Sequence, residues 1–186
     1  ARAAGATNYA PHRKLEPDAT VAVYDLGGGT FDAALVRRTG TSFEVLGHPE
    51  GIERLGGIDF DEAVFAHVRE SLGDTFDQLD PEESSTLAAV SRLRQECIDA
   101  KEALSGDTDV SVPVLLPNLN TEVRLTRTEF EAMIRPAVGE TIVALRRAIR
   151  SANSSDDEIS AVLLVGGSSR IPLVAQMVGA ELGRPI

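Results

Sequence analysis

The chain has one cysteine, three histidines and no apolar run longer than Ala161–Val165. A single thiol, Cys97, cannot form an internal disulfide, so a disulfide-stapled fold is excluded and a reducing compartment is the simpler setting. Its expected role is a buried, inert thiol. His12, His48 and His67 share no metal-ligand spacing with one another or with Cys97, and no nucleophile-elbow serine occurs, which leaves zinc and acyl-transfer chemistry unsupported. With no stretch of membrane-spanning length and no signal-like opening, the sequence reads as a soluble, cytoplasmic piece that makes no membrane contact. Positive charge is scarce too: 18 basic against 29 acidic residues leave a formal charge of −11, which opposes nonspecific attraction to nucleic acid.

The remaining composition is that of a globular protein, with 42% hydrophobic and 25% charged residues in 186, enough to bury a full core. No internal repeat or low-complexity tract is present. A chain that opens on Ala1 rather than Met is expected to be an excised piece or a processed product. Asn153-Ser154-Ser155 fits a glycosylation acceptor but reads, without a secretory signal, as a polar loop.

Two familiar glycine fingerprints are also missing. No Gly-x-Gly-x-x-Gly opens a helix, and no Gly-Lys-Ser/Thr closes a phosphate loop. What stands instead, at residues 25–32, is Asp-Leu-Gly-Gly-Gly-Thr-Phe-Asp. Gly27, Gly28 and Gly29 remove every Cβ from the turn, so backbone N–H groups can approach a polyphosphate, and Thr30 adds a hydroxyl donor. Asp25 and Asp32 would repel a naked phosphate, but they can hold a hydrated Mg2+ or orient an attacking water. On an acidic chain, an anionic ligand has to be held through backbone amides and a metal. The alternative is an acidic hairpin whose glycines only make a tight turn.

Alternating apolar residues over Thr20–Leu26 and Phe31–Arg38, with a third run over Ser42–Gly47, predict an antiparallel meander with the glycine loop at one end. A second Gly pair, Gly56-Gly57, precedes a helix with Phe60, Ala63, Val64, Val68 and Leu72 on one face. After a break at Gly73 and Asp80-Pro81, a longer helix places Leu87, Val90, Leu93, Cys97, Ala100 and Leu104 inward. Asp109–Leu116 and Thr121–Leu125 should pair as a hairpin around a Pro117-Asn118-Leu119-Asn120 turn. Thr126 and Glu129 form a capping box for the next helix, which Pro136 should kink. Ser160–Val165 reads as a buried strand, and Pro172 fits the first turn of a final helix beyond Gly166-Gly167.

Three colinear motifs, Val23–Asp32, Leu55-Gly-Gly-Ile-Asp-Phe-Asp61 and Leu164-Val-Gly-Gly-Ser-Ser-Arg-Ile-Pro172, resemble the nucleotide-binding domain of the seventy-kilodalton heat-shock (DnaK-type) chaperones. The resemblance runs from about Thr20 to the end. It implies an α/β fold: the second lobe of an actin-like (ribonuclease H-like) ATPase, a mixed-sheet subdomain over residues 20–54 and 125–186 interrupted by a helix-and-hairpin subdomain over 55–124. Residues 1–19 are then a connector with a helix remnant.

By that resemblance Gly27, Gly28, Gly29 and Thr30 contact the phosphates, while Asp25, Thr30 and Asp32 serve catalysis and the two carboxylates hold metal through water. Gly56 and Gly57 support the phosphate side. Gly166, Gly167, Ser168, Arg170 and Ile171 lie along adenosine, and Lys101 and Ser105 touch ribose and adenine. The implied ligands are ATP or ADP, Mg2+ and K+. Implied partners are the first lobe, which carries its own phosphate loop and a catalytic lysine, a peptide-binding or other effector domain, and cochaperones or nucleotide-exchange factors. Without the first lobe the isolated chain is expected to be inactive in hydrolysis. Two positions depart from the family: Ile98 replaces a ribose-binding carboxylate and Glu102 replaces an arginine that often stacks on adenine. They keep open a second reading, a non-catalytic binding or regulatory module of the same fold.

Overall fold

The computed structural model describes residues 16–183 and residue 186. The helix remnant expected near the start falls on residues 1–15, outside the described residues. The described chain divides into two compact units, one running to Gly57 and resuming over Pro136–Ile186, the other comprising Ile58–Arg135.

The first unit is built on a four-stranded mixed sheet in the order β3-β2-β1-β6, where β1 is Thr20–Leu26, β2 Thr30–Thr39, β3 Ser42–Glu53 and β6 Ile159–Val165. The first three strands are antiparallel neighbours and β6 runs parallel to β1. Tyr24, Leu26, Phe31 and Leu35 are buried, the inward positions that the apolar alternation selects. Tyr24 and Phe31 meet edge to face with centroids 4.6 Å apart. The Tyr24 hydroxyl pairs with Thr141 Oγ1 at 2.5 Å, and burial pushes its pKa up to about 12. Thr141 lies on the long helix α4, Arg127–Ser151, which runs on through Pro136 and ends in this unit. The final helix α5, Pro172–Leu182, starts on Pro172 and ends on Gly183 at φ 64, a left-handed cap suited to glycine.

Two strand expectations need correction. β3 does not stop at Gly47 but continues to Glu53, because its register jumps: Leu35 pairs with Leu46 and Ala33 with Glu50, so Gly47–Pro49 bulge opposite Ala34. Pro49, which has no N–H to donate, is accommodated in that irregularity. Gly47 has φ 65, and a Cβ on it would meet Ala152 N at 2.5 Å. The bulge is tied down where His48 N–H donates to Ser151 Oγ at 2.8 Å. The second correction concerns β6, whose residues Ala161–Val165 are half-buried rather than buried. It ends the sheet order, so a run suited to cover on both sides has β1 as its one strand neighbour among the described residues.

The second unit holds α1 (Gly57–Leu72, whose first residue belongs to the other unit), α2 (Asp74–Asp77), α3 (Ser84–Ala103), the hairpin of β4 (Asp109–Leu116) and β5 (Leu119–Thr126), and the start of α4. The short α2 interrupts the expected break. On α3, Leu93, Cys97, Ala100 and the adjoining Leu104 are buried as the periodicity predicts, but Leu87 is 58% exposed and Val90 half-buried, while Thr86 is buried. Burial pushes the Cys97 thiol up to about 12, in keeping with an inert core residue. The hairpin turn is tighter than expected: Leu116 pairs with Leu119, leaving Pro117-Asn118 as a two-residue turn with Asn118 at φ 64. The capping box is present, with Glu129 N–H donating to Thr126 Oγ1 at 3.2 Å and Thr126 N–H to Glu129 Oε2 at 2.9 Å.

Candidate functional site

The glycine turn joins β1 to β2 at the end of a tightly paired hairpin. Leu26 pairs with Phe31 and Asp25 with Asp32, so the two buried apolar residues anchor the hairpin while the two acids sit side by side on neighbouring strands. Gly27 N–H donates to Thr30 O at 3.0 Å and closes the turn. Gly28 and Thr30 are exposed, which presents a backbone N–H and a hydroxyl to solvent. The Asp25 carboxyl is raised above the usual carboxylate range, first by burial and then by the charge of Asp32.

Two further segments brace this turn from behind. Leu55 N–H donates to Gly29 O at 3.2 Å and Gly57 N–H to Gly27 O at 3.0 Å. Gly56 is buried against the turn itself, and a Cβ there would lie 2.7 Å from Gly28 C and Gly29 N. The Gly56-Gly57 pair is therefore a support with no open face of its own. The other brace is Ser168, whose hydroxyl donates to Gly27 O at 2.9 Å. Gly166, at φ 88, passes so close that a Cβ would meet Leu26 O at 2.2 Å and Asp25 Oδ1 at 2.9 Å. Two stretches far apart in sequence thus converge on one hairpin tip.

Beside it, Leu164, Val165, Gly166, Gly167, Ser169 and Arg170 line a cavity of about 300 Å³. Gly166, Gly167 and Arg170 belong to the set expected from the sequence. Ser168 and Ile171 are buried, and the Ser168 hydroxyl is engaged with Gly27 rather than turned to the cavity. Ser169 lines the cavity but bonds Val165 O at 2.5 Å. The sequence pattern signalled the Gly-Gly-Ser-Ser turn without telling the two serines apart.

Lys101 and Ser105 belong to the second unit, at the end of α3. Lys101 Nζ lies 2.6 Å from Asp61 Oδ1 on α1, with the two side chains 13% and 22% exposed. Ser105 N–H closes the helix end on Glu102 O at 3.1 Å, and Arg127 Nε donates to Leu104 O at 2.8 Å. Ile98 is half-buried and Glu102 exposed. Asp61 escaped assignment in the sequence, although it closes the Leu-Gly-Gly-Ile-Asp-Phe-Asp segment, because nothing local signals that a lysine forty residues onward is its partner.

A family model described as Hsp70 protein matches residues 3–186. The chain belongs to the Hsp70 family. Among curated relatives it is 44% identical over 167 residues to a chaperone protein HscA homolog of Pseudomonas putida, and 40% over 162 residues to a chaperone protein HscA homolog of Shewanella denitrificans. Identity to chaperone protein HscA of Escherichia coli is 38% over 172 residues. These alignments cover 90%, 87% and 90% of this chain, each against 25% of the relative. The chain thus spans about a quarter of the length of the curated relatives it matches.

The mixed α/β architecture agrees with an actin-like lobe of this family. Among the described residues, no three His, Cys, Asp or Glu side chains group as a metal cage, and Asp25 and Asp32 stand as a paired set of carboxylates. Two like charges on paired strands, one with a raised pKa, suit a hard cation that keeps most of its water. No helix among the described residues is long and apolar enough to cross a membrane.

Proposed function

We propose that this chain is the ATP- or ADP-binding second lobe of a heat-shock-type chaperone ATPase. The observation that carries the reading is the braced hairpin tip: three consecutive glycines and Thr30, held by Gly56, Gly57 and Ser168, with Asp25 and Asp32 paired beneath. Phosphate oxygens would be received by the Gly28 and Gly29 N–H groups and the Thr30 hydroxyl. Bracing matters because donors that are already fixed need no reorganisation when charge arrives. Asp25 and Asp32 would hold a hydrated Mg2+ through its water and orient the water that attacks. The ion, when bound, supplies neutralisation of the phosphate charge. The cavity beside Gly166, Gly167 and Arg170 would take adenosine, and Lys101 and Ser105 would meet ribose and adenine. Residues 55–124 are read as the inserted subdomain.

On this reading the first lobe, an effector domain and cochaperones are partners of the whole protein, and the cytoplasm is its location. The chain alone holds one wall of a two-lobed site, so it should bind nucleotide without efficient turnover. Calorimetric titration with MgADP tests this: saturable binding that Thr30→Ala weakens supports it, whereas robust hydrolysis by the isolated chain would overturn the lobe assignment.

The second reading, a non-catalytic module of the same fold, is favoured by Ile98 and by the exposed Glu102. Neither can make the ribose and adenine contacts attributed to its family counterpart. Glu102→Arg separates the two. A gain of about two- to thirtyfold in ADP affinity, the range of a cation–π contact, marks a working adenine wall. No gain marks a module that has lost it.

A further inference from the structure

One row of residues crosses the sheet of the first unit. Gly51 on β3 pairs with Asp32 on β2, Asp32 with Asp25 on β1, and Asp25 with Val165 on β6, which Gly166 follows. Residues opposite one another on neighbouring strands share a face, so the two acids stand together with a glycine beyond each on its outer side. Both glycines are close. A Cβ on Gly51 would lie 3.2 Å from Asp32 Oδ1, and one on Gly166 would lie 2.9 Å from Asp25 Oδ1. Each carboxylate thus turns an oxygen outward, away from the other acid and over a residue that has no side chain.

Glycine inside a strand weakens it and often marks a close approach. Here the approach is made by the acids themselves. Two carboxylates on one face of a sheet repel, and where both are half-buried water screens that repulsion less. We infer that Gly51 and Gly166 are positioning residues for the Asp25–Asp32 pair, the missing Cβ on each outer side letting the carboxylates lean apart and leave between them the room that a cation with its water requires. The inference rests on the nucleotide reading above. The two glycines thereby act on the ion without touching it, since a side chain at Gly51 would press the Asp32 carboxylate back toward Asp25 at the expense of a hydrated ion. Gly166 is also demanded by its backbone, at φ 88 and with a Cβ that would meet Leu26 O at 2.2 Å. Gly51 is exposed and lies outside the left-handed region, so it is the position to test.

The test pairs a view of the carboxylate with a ligand titration in Gly51→Ala, where the contact at 3.2 Å asks Asp32 to yield by a few tenths of an ångström. Without ligand, the NMR resonance of the Asp32 carboxyl carbon should shift, while Tm stays equal to or above that of the unaltered chain, because alanine restricts the unfolded state. Affinity for magnesium pyrophosphate, which brings metal and phosphate without a nucleoside, should fall about tenfold, the lower end of what disturbing a metal ligand's outer support costs. Gly51→Ala combined with Asp32→Asn should bind no more weakly than Asp32→Asn alone, since the effect passes through the Asp32 charge. An unmoved Asp32 resonance, an added loss in the double variant, or failure of Gly51→Ala to fold would each overturn the positioning role. A shifted resonance with undiminished affinity refutes it while leaving the nucleotide reading intact. Absence of magnesium pyrophosphate binding by the unaltered chain refutes both.

Discussion

The Ser168 hydroxyl donates to the carbonyl of Gly27 at 2.9 Å across 141 residues of sequence, and the same carbonyl accepts the N–H of Gly57 at 3.0 Å. One oxygen of the glycine turn is thus held by two other segments of the chain. The turn owes its shape to these braces as much as to its own glycines.

Ser168→Ala removes one of the two bonds and leaves the other. Stability should fall by about 0.5–1.5 kcal/mol, because the carbonyl keeps a partner. For a chain of this length that is a drop in Tm of roughly 2–4 °C per kcal/mol. Affinity for magnesium pyrophosphate should fall with it, as the turn loosens. Thermal unfolding and calorimetry read the two effects, and pyrophosphate binding at full strength would show that the brace serves only stability.

Gly28 and Gly56 should respond oppositely to alanine. A Cβ on Gly28 meets nothing within 4 Å, whereas one on Gly56 meets the Gly28 and Gly29 backbone at 2.7 Å. Gly28→Ala should leave stability within about 0.5 kcal/mol, as at other open surface sites, yet lose pyrophosphate binding because the methyl occupies the phosphate side. Gly56→Ala should destabilise by about 1–3 kcal/mol through overpacking. Denaturant midpoints measured beside ligand titrations separate the two outcomes, and a Gly28→Ala chain that binds normally would place the phosphate elsewhere.

The raised pKa of Asp25 has a definite sign in stability. Its carboxyl holds a proton to higher pH in the folded chain than in the unfolded chain, so the folded state binds more protons in that interval and stability declines as pH rises through it. Below the ordinary carboxylate value of about 3.9 the penalty vanishes, and above the folded pKa it is constant. Asp25→Asn should therefore stabilise the ligand-free chain near pH 7 and lose that advantage toward pH 4. Urea unfolding across this range reads it. An advantage that grew on acidification would contradict the assignment of burial and the Asp32 charge as causes.

Cys97 is fully buried, and its thiol is pushed up to about 12. A maleimide reagent at mildly alkaline pH should leave the folded chain unmodified and label it completely in denaturant, because reaction requires an accessible thiolate. Mass spectrometry of the two samples decides it. Rapid labelling of the folded chain would mean that α3 opens locally at little free-energy cost.

Much of the architecture was legible from local chemistry. The alternation around Tyr24, Leu26 and Phe31 marked two strands, the glycines between them marked the turn, and Thr126 with Glu129 marked a helix start. Each depends on neighbours within a few residues, where side-chain period and backbone dihedrals are set by residue type alone. The expected end of β3 failed because the bulge at Gly47–Pro49 exists only against β2 and Ser151. The burial of β6 failed because an apolar run cannot announce how many strands will flank it.

The candidate site divides along the same line. Residue types suited to phosphate and metal, Gly27 to Thr30 with Asp25 and Asp32, stand together in the sequence and could be read there. Only the tertiary structure decided that Ser168 braces the turn while Ser169 lines the cavity, that Gly56 fills a space too small for any Cβ, and that Lys101 is held by Asp61. The physical reason is that a hydrogen bond or ion pair is set by distances of a few ångströms in space. Over forty or 141 residues of chain, those distances are settled by packing and cannot be inferred from the identity of either partner.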